Sequence, residues 1–323
     1  MTAANSSSPL DLLRTMTLIR EAELRLAQLF ADGEVPGFIH LSVGQEGVAA
    51  GVCAALSSTD TLASNHRGHG HALAKGLDLE RFFLEIMGKA EGMCQGRGGS
   101  MHVADAAVGM LGANGIVGAG LPIAVGSALA HQVRKSGAIA TVFFGDGALA
   151  EGVMHESFNL ASIWRLPVLF VCENNGWSEF SPTSKQLAAD PCALALSHRI
   201  AARSVDGNDV LAVHEMALVL VDEIREGGGP RFLECRTTRV RGHFEGDPQK
   251  YREAADAARS EDDPIGRLER RLTADGVPAP DIEAATREAK RRVDAAVRRA
   301  RSGTAPAFDA ALRDVYAPSE AAP

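Results

Sequence analysis

The five cysteines of this chain, Cys53, Cys94, Cys172, Cys192 and Cys235, form no C-x-x-C pair, and their odd number argues against a closed disulfide framework. They read as reduced and mostly buried. No Pro/Ser-rich linker, low-complexity run or internal repeat divides the middle of the sequence, so its 323 residues, 46% of them apolar, favour one large domain with a sizeable core. Basic charge is not in surplus. A net charge of −8 and a pI near 5.7 argue against a nucleic-acid groove, and the basic run Arg287 to Arg301 is interleaved with Glu, Asp and Ala at the spacing of a solvated helix face. Residues 1–9 lack the basic segment and apolar core of a signal peptide, and no arginine precedes Arg14 as in a transit peptide. The expectation is a flexible N-terminus over 1–9 on a cytoplasmic protein. Ala106 to Val133 carries no Asp, Glu, Lys or Arg and is long enough to span a bilayer, but its glycines and Pro122 fit a glycine-rich loop leading into a buried helix, not a membrane segment.

Apolar spacing predicts helices over 10–31, with Asp32-Gly33 as the stop, over 44–56, and from the histidine cluster to near Gly76. Short strands are expected at 61–64 and 202–205, longer apolar strands at 138–144, 167–172 and 231–237, and helices at 149–164, 210–225 and 281–301. Residues 306–323 read as an extended tail. The alternation predicts an α/β fold: a doubly wound, mostly parallel sheet flanked by helices.

The chemistry concentrates at two strand ends, Gly145-Asp146-Gly147 and Glu173-Asn174-Asn175. In a βαβ unit such ends open onto the ligand crevice of a parallel sheet. Gly147 and Ala148 would sit at a helix start, where free N–H groups favour a diphosphate. Asp146 and Asn175 would present a carboxylate and an amide oxygen to one hard cation, and Mg²⁺ suits such a sparse oxygen set. Either motif alone fits turns after buried strands equally well. Gly145 to Gly152 has the wrong glycine spacing for a dinucleotide fold, and Gly96 to His102 lacks the Lys-Ser/Thr of a P-loop. His66, His69 and His71 have no cysteine or carboxylate at ligand spacing, and Arg67 among them would repel a zinc ion.

Gly-Asp-Gly, a gap and then Asn-Asn matches the thiamine-diphosphate motif. Over residues 10–316 the chain resembles the α subunits of heterotetrameric 2-oxo-acid dehydrogenase-type E1 enzymes, through Gly37-Phe-Ile-His40, His66-Arg-Gly-His-Gly70, Gly98-Gly-Ser-Met-His102, Asn114-Gly-Ile-Val-Gly118 and Arg241 to Pro248. Within that family it is most similar to the acetoin dehydrogenase branch. The resemblance implies a thiamine-diphosphate-binding fold over 10–316, followed by a tail over 317–323, with thiamine diphosphate and Mg²⁺ as cofactors. It implies metal ligation by Asp146, Asn175 and the carbonyl of Trp177, and diphosphate contacts from Arg67, Gly147, Ala148, Arg239 and His243. The backbone of Gly115 and Val117 would hold the aminopyrimidine ring. His69 would face the substrate channel, His102 would lie near it, and with His243 they are the candidate proton carriers. No role is implied for His71. Phe244 stands where mitochondrial relatives carry a regulatory serine, which excludes phosphorylation at that position.

The implied reaction is cleavage of acetoin to acetaldehyde, leaving a hydroxyethyl group on the cofactor whose acetyl equivalent passes to a lipoyl-bearing E2 acyltransferase. Oxidative decarboxylation of pyruvate or a branched-chain 2-oxo acid is the alternative, and a non-catalytic thiamine-diphosphate-binding subunit a distant one. The pyrimidine-activating glutamate of thiamine enzymes has no counterpart here and would come from an E1 β subunit in an α₂β₂ assembly. The polar, glycine-containing segment after Thr237 is expected to order over the site around cofactor.

Overall fold

The computed structural model describes residues 7–253 and 263–309. Its strands are β1 (Thr61–Ala63), β2 (Met110–Gly112), β3 (Ala140–Gly145), β4 (Val168–Asn174), a short antiparallel pair β5 (Trp177–Ser178) and β6 (Ser181–Pro182), β7 (Ala201–Asp206) and β8 (Arg231–Arg236). All but β5 and β6 form one parallel sheet in the order β2-β1-β3-β4-β8-β7. The helices are α1 (Pro9–Ala31), α2 (Glu46–Ala54), α3 (His69–Lys75), α4 (Leu79–Ile86), α5 (Gly120–Arg134), α6 (Gly152–Ile163), α7 (Pro191–Ser197), α8 (Val210–Glu223), α9 (Pro264–Ala274) and α10 (Ala279–Arg301). The sequence-based expectation of a parallel, doubly wound α/β sheet is met.

Successive strand residues point to opposite faces, and both faces are covered. Phe143, Leu169, Val171 and Leu233 enter one core with α1, α2 and α8; Val142, Phe144, Phe170 and Phe232 enter the other with α5 and α6. Double burial is why β3 and β4 read as unbroken apolar runs. On α10, the buried positions Ala289, Val293, Ala296 and Ala300 recur every three or four residues and pack on α1, while its arginines stay outside.

Several expectations change. Ser8 and Pro9 are not tail: Ser8 caps α1 in a reciprocal pair with Asp11, whose N–H donates to the Ser8 hydroxyl, and Pro9 opens the helix. The helix after β3 begins at Gly152, not Leu149, because Asp146–Ala150 tightens into a 3₁₀ turn first. Gly147 and Ala148 therefore lie in that turn and not at an α-helix N-terminus. The helix after the glycine-rich loop is buried on one side only, with Ile123 45% exposed. The expectations for residues 1–6, for the end of the loop at 254–262 and for the tail from 310 onward lie outside the described residues.

Candidate active site

β1, β3, β4 and β8 are neighbours in the sheet, so the segments leaving their C-terminal ends converge. His66 and Arg67 follow β1, Asp146, Gly147 and Ala148 follow β3, Asn175 follows β4, and Arg239 and His243 follow β8. The chain leaves β1 for β2 on one side and returns to β3 on the other, and such a reversal opens the crevice of a doubly wound sheet. A cavity of about 320 Å³ lies there, lined by all of these residues and by His40, Gln45, Gly115, Val117, Glu173 and Trp177.

Asp146 is buried, and burial pushes its carboxyl up to about 6 although the Thr183 hydroxyl, which donates to Oδ2, pulls it the other way. Its Oδ1 has no hydrogen-bond partner among the described residues. Asn175 donates through Nδ2 to Gln45 Oε1 at 2.9 Å and accepts the Trp177 N–H on Oδ1 at 3.1 Å. A Cβ at Gly147 would fall 2.4 Å from Ser178 Oγ and 2.9 Å from its Cβ, so a side chain there would have to displace Ser178.

Two buried arginines face the cavity. Arg67 donates to the Leu41 carbonyl at 2.7 Å and, through Nη2, to the His243 carbonyl at 2.7 Å and His243 Nδ1 at 3.2 Å. Burial, with Arg239 nearby, pulls the Arg67 guanidinium down to about 9. Burial also lowers Arg239, whose Nη2 reaches the Tyr251 hydroxyl at 3.4 Å. Three imidazoles meet edge to ring: His40 lies 4.9 Å from His66 and 5.1 Å from His243. Burial first and the Arg67 charge second hold His40 near 3, His243 near 4 and His66 well below its ordinary value. All three are neutral at neutral pH.

The other expected site residues separate. His69 is 0% exposed and does not face the cavity: Nδ1 meets Glu23 Oε1 at 3.1 Å and Nε2 meets Ser100 Oγ at 2.7 Å, which corrects its expected place in the channel. His102 is exposed beside Gly115, at the rim. His71, left without a role, bridges Glu173 Oε1 at 3.1 Å and Ser64 Oγ at 2.8 Å and stacks on Phe143. Sequence reasoning did not assign His40, Gln45, His66, Glu173 or Thr183 to the site. His40 and His66 sat inside motifs already singled out; Gln45 and Thr183 are isolated polar residues with no local signal.

Four buried polar atoms without hydrogen-bond partners among the described residues, His40 Nδ1, Gln45 Nε2, Asp146 Oδ1 and Arg239 Nε, belong to residues lining this one cavity. Buried polar groups are normally satisfied, so their convergence marks a site built for a polar ligand. Among the described residues no three His, Cys, Asp or Glu side chains are gathered as a metal cluster, and no helix is long and apolar enough to cross a membrane.

The family described as Dehydrogenase E1 component matches residues 14–308. The chain belongs to this family. Two similar proteins are acetoin:2,6-dichlorophenolindophenol oxidoreductase alpha subunits. That of Bacillus subtilis (strain 168) is 50% identical over 238 residues, 73% of this chain and 72% of that protein. That of Cupriavidus necator is 44% identical over 311 residues, 95% and 93% of the two chains. A pyruvate dehydrogenase E1 component subunit alpha of Zymomonas mobilis subsp. mobilis is 41% identical over 285 residues, 86% and 80% of the two chains. Membership makes this chain an oxidoreductase component of the E1 class, which depends on thiamine diphosphate.

Proposed function

We propose that this chain is the α subunit of a cytoplasmic, thiamine-diphosphate- and Mg²⁺-dependent E1 enzyme, its residues 10–316 forming the cofactor-binding domain. It cleaves acetoin together with an E1 β subunit in an α₂β₂ assembly and hands the acetyl group to a lipoyl-bearing E2 acyltransferase. The observation that carries this reading is the set of four unpartnered polar atoms around the strand-end pair Asp146 and Asn175.

The residues fit the cofactor. A buried carboxylate oxygen with no partner among the described residues suits a divalent cation, and Asn175 and Trp177, which line the same cavity, offer a side-chain and a backbone carbonyl as neutral oxygens. Arg67, Arg239 and the N–H groups of Gly147 and Ala148 lie along the same cavity as donors for a diphosphate, and Gly115 and Val117 line it as well. When bound, thiamine diphosphate supplies the nucleophilic carbon and the electron sink for breaking a carbon–carbon bond. The chain's own contribution is to hold, orient and exclude water, and to move protons. His243, neutral and at the cavity wall, is the group placed to donate to a substrate oxygen, and His102 at the rim exchanges protons with solvent.

The substrate reading rests on charge. Acetoin is neutral, and His40, His66 and His243 present uncharged hydrogen-bonding edges, while Arg67 and Arg239 are assigned to diphosphate. A 2-oxo acid such as pyruvate would gain from a cation of its own.

Calorimetry on the α/β complex tests the site: Asp146→Ala should abolish Mg²⁺-dependent thiamine diphosphate binding with the fold retained, and undiminished affinity would sink it. Steady-state kinetics with an artificial electron acceptor test the substrate. A higher kcat/KM for pyruvate than for acetoin would overturn that assignment and leave the cofactor site standing.

A further inference from the structure

The donor and acceptor roles around Asn175 follow from one fixed point. The Trp177 backbone N–H can only donate, so the Asn175 atom that meets it at 3.1 Å is the carbonyl oxygen Oδ1. The NH₂ group of Asn175 then faces Gln45 at 2.9 Å, and Gln45 must present its oxygen there. Gln45 is 1% exposed at the start of α2, far from Asn175 in sequence, and two NH₂ groups facing each other would leave both unsatisfied. Asn175 is thereby locked in one orientation, with Oδ1 keeping one lone pair beyond its bond to Trp177.

Asp146 is handled in the same way from the opposite side. The β5–β6 hairpin closes through the Thr183 N–H to the Gly176 carbonyl at 2.9 Å, and Gly176 takes a positive φ to make the turn. That closure sets the Thr183 hydroxyl against Asp146 Oδ2. The other carboxylate oxygen, Oδ1, is buried at the cavity with no hydrogen-bond partner among the described residues. Gln45 spends its oxygen on Asn175 and leaves its own Nε2 without a hydrogen-bond partner among the described residues.

We propose that Gln45 and Thr183 are positioning residues that aim Asn175 Oδ1 and Asp146 Oδ1 at a single divalent cation. The inference rests on the metal-diphosphate reading of the cavity and adds to it the two groups that orient the ligands. With one charged ligand and two neutral oxygens, the site has little affinity to spare, so ligand orientation contributes directly to binding. Hydrogen-bond partners of metal ligands typically change metal affinity by about 10–100-fold when removed.

The test is a Mg²⁺ titration by calorimetry of the full chain co-purified with its β subunit, at saturating thiamine diphosphate. Thr183→Val and Gln45→Leu each keep the side-chain volume and delete the hydrogen bond; each should weaken Mg²⁺ about 10–100-fold. Thr183→Ser keeps the donor and should return Mg²⁺ affinity to within a few-fold of the parent. In steady-state assays the deleted forms should show a raised KM for Mg²⁺, with kcat largely recovered at high Mg²⁺. A merely structural role would instead lower the metal-free unfolding temperature and leave Mg²⁺ affinity alone, which would overturn the inference. If Thr183→Val fails to fold, Thr183→Ala is read in the same assay. Asp146→Ala separates the two levels: if it abolishes Mg²⁺ binding while Thr183→Val and Gln45→Leu bind within two-fold of the parent, only this inference fails. If Asp146→Ala binds Mg²⁺ normally, the cofactor reading itself fails.

Discussion

Arg67 Nη2 donates to His243 Nδ1 at 3.2 Å, so a residue at the end of β1 sets the protonation pattern of one that follows β8. A guanidinium offers donors only, and the nitrogen that accepts from it must be bare. The proton of the neutral His243 ring therefore sits on Nε2. His243 is thus prepared as a neutral donor and not as a base at that atom, and the same arginine that shapes one wall of the cavity decides it.

This tautomer is measurable. In the apo chain, ¹⁵N spectra of labelled histidine should show His243 with an unprotonated Nδ1 and a protonated Nε2 near neutral pH. Arg67→Met should release the preference and give mixed tautomers. A protonated Nδ1 in the parent would contradict the assignment.

The histidine cluster also makes apo stability depend on pH. Folding holds His40 near 3 and His243 near 4, both below the ordinary 6.5, so between those values the unfolded chain takes up protons that the folded chain refuses. Stability from this source is complete above pH 6.5 and is lost as pH falls, down to about 4 for His243 and about 3 for His40. Replacing His40 with Asn should flatten the fall in unfolding temperature across that window. An unchanged slope would show that His40 titrates normally in the fold.

Glu85 organises the loop that leads to Ser100 and His102. Its fully buried carboxylate accepts the N–H groups of Cys94, Gly96, Gly98 and Gly99, at 2.8, 2.9, 2.7 and 3.2 Å. Charge-assisted bonds contribute roughly 1.5–3 kcal/mol each, and their loss would leave these amides unpaired, so Glu85→Ala should cost at least about 3 kcal/mol in urea unfolding. Hydrogen exchange should speed up first at those four amides. Glu85→Gln, which keeps one acceptor oxygen, should lose less.

Gly44 couples the cofactor arginine to the segment before α2. It has φ +99, and a Cβ would fall 2.4 Å from the Thr238 carbonyl oxygen, one residue before Arg239. Gly44→Ala should cost about 1–3 kcal/mol through backbone strain alone, and should weaken thiamine diphosphate binding by displacing Arg239. Unaltered binding by calorimetry would show that the 238–240 segment moves without consequence for the site.

Local signals were enough for the sheet because β3 and β4 are buried on both faces, so their apolar runs carry the whole instruction. Strand ends marked by Gly145-Asp-Gly147 and Asn174-Asn175 were legible for the same reason: glycine and asparagine there follow directly from where the strands stop. Elements only two or three residues long, such as β1, β2 and the β5–β6 hairpin, carry weaker patterns, and β2, β5, β6, α4, α7 and α9 were not foreseen at all.

By itself, then, the sequence determined the α/β class, the two strand-end motifs and the family to which they point, since each depends on contiguous residues. Only the tertiary structure decided that His40, Gln45 and Thr183 join those motifs while His69 retreats into a buried relay with Glu23 and Ser100. The reason is that hydrogen-bond partnership is set by where helices and loops land on the sheet. A residue such as Gln45 becomes part of a site only when α2 brings it 2.9 Å from an asparagine on another strand end.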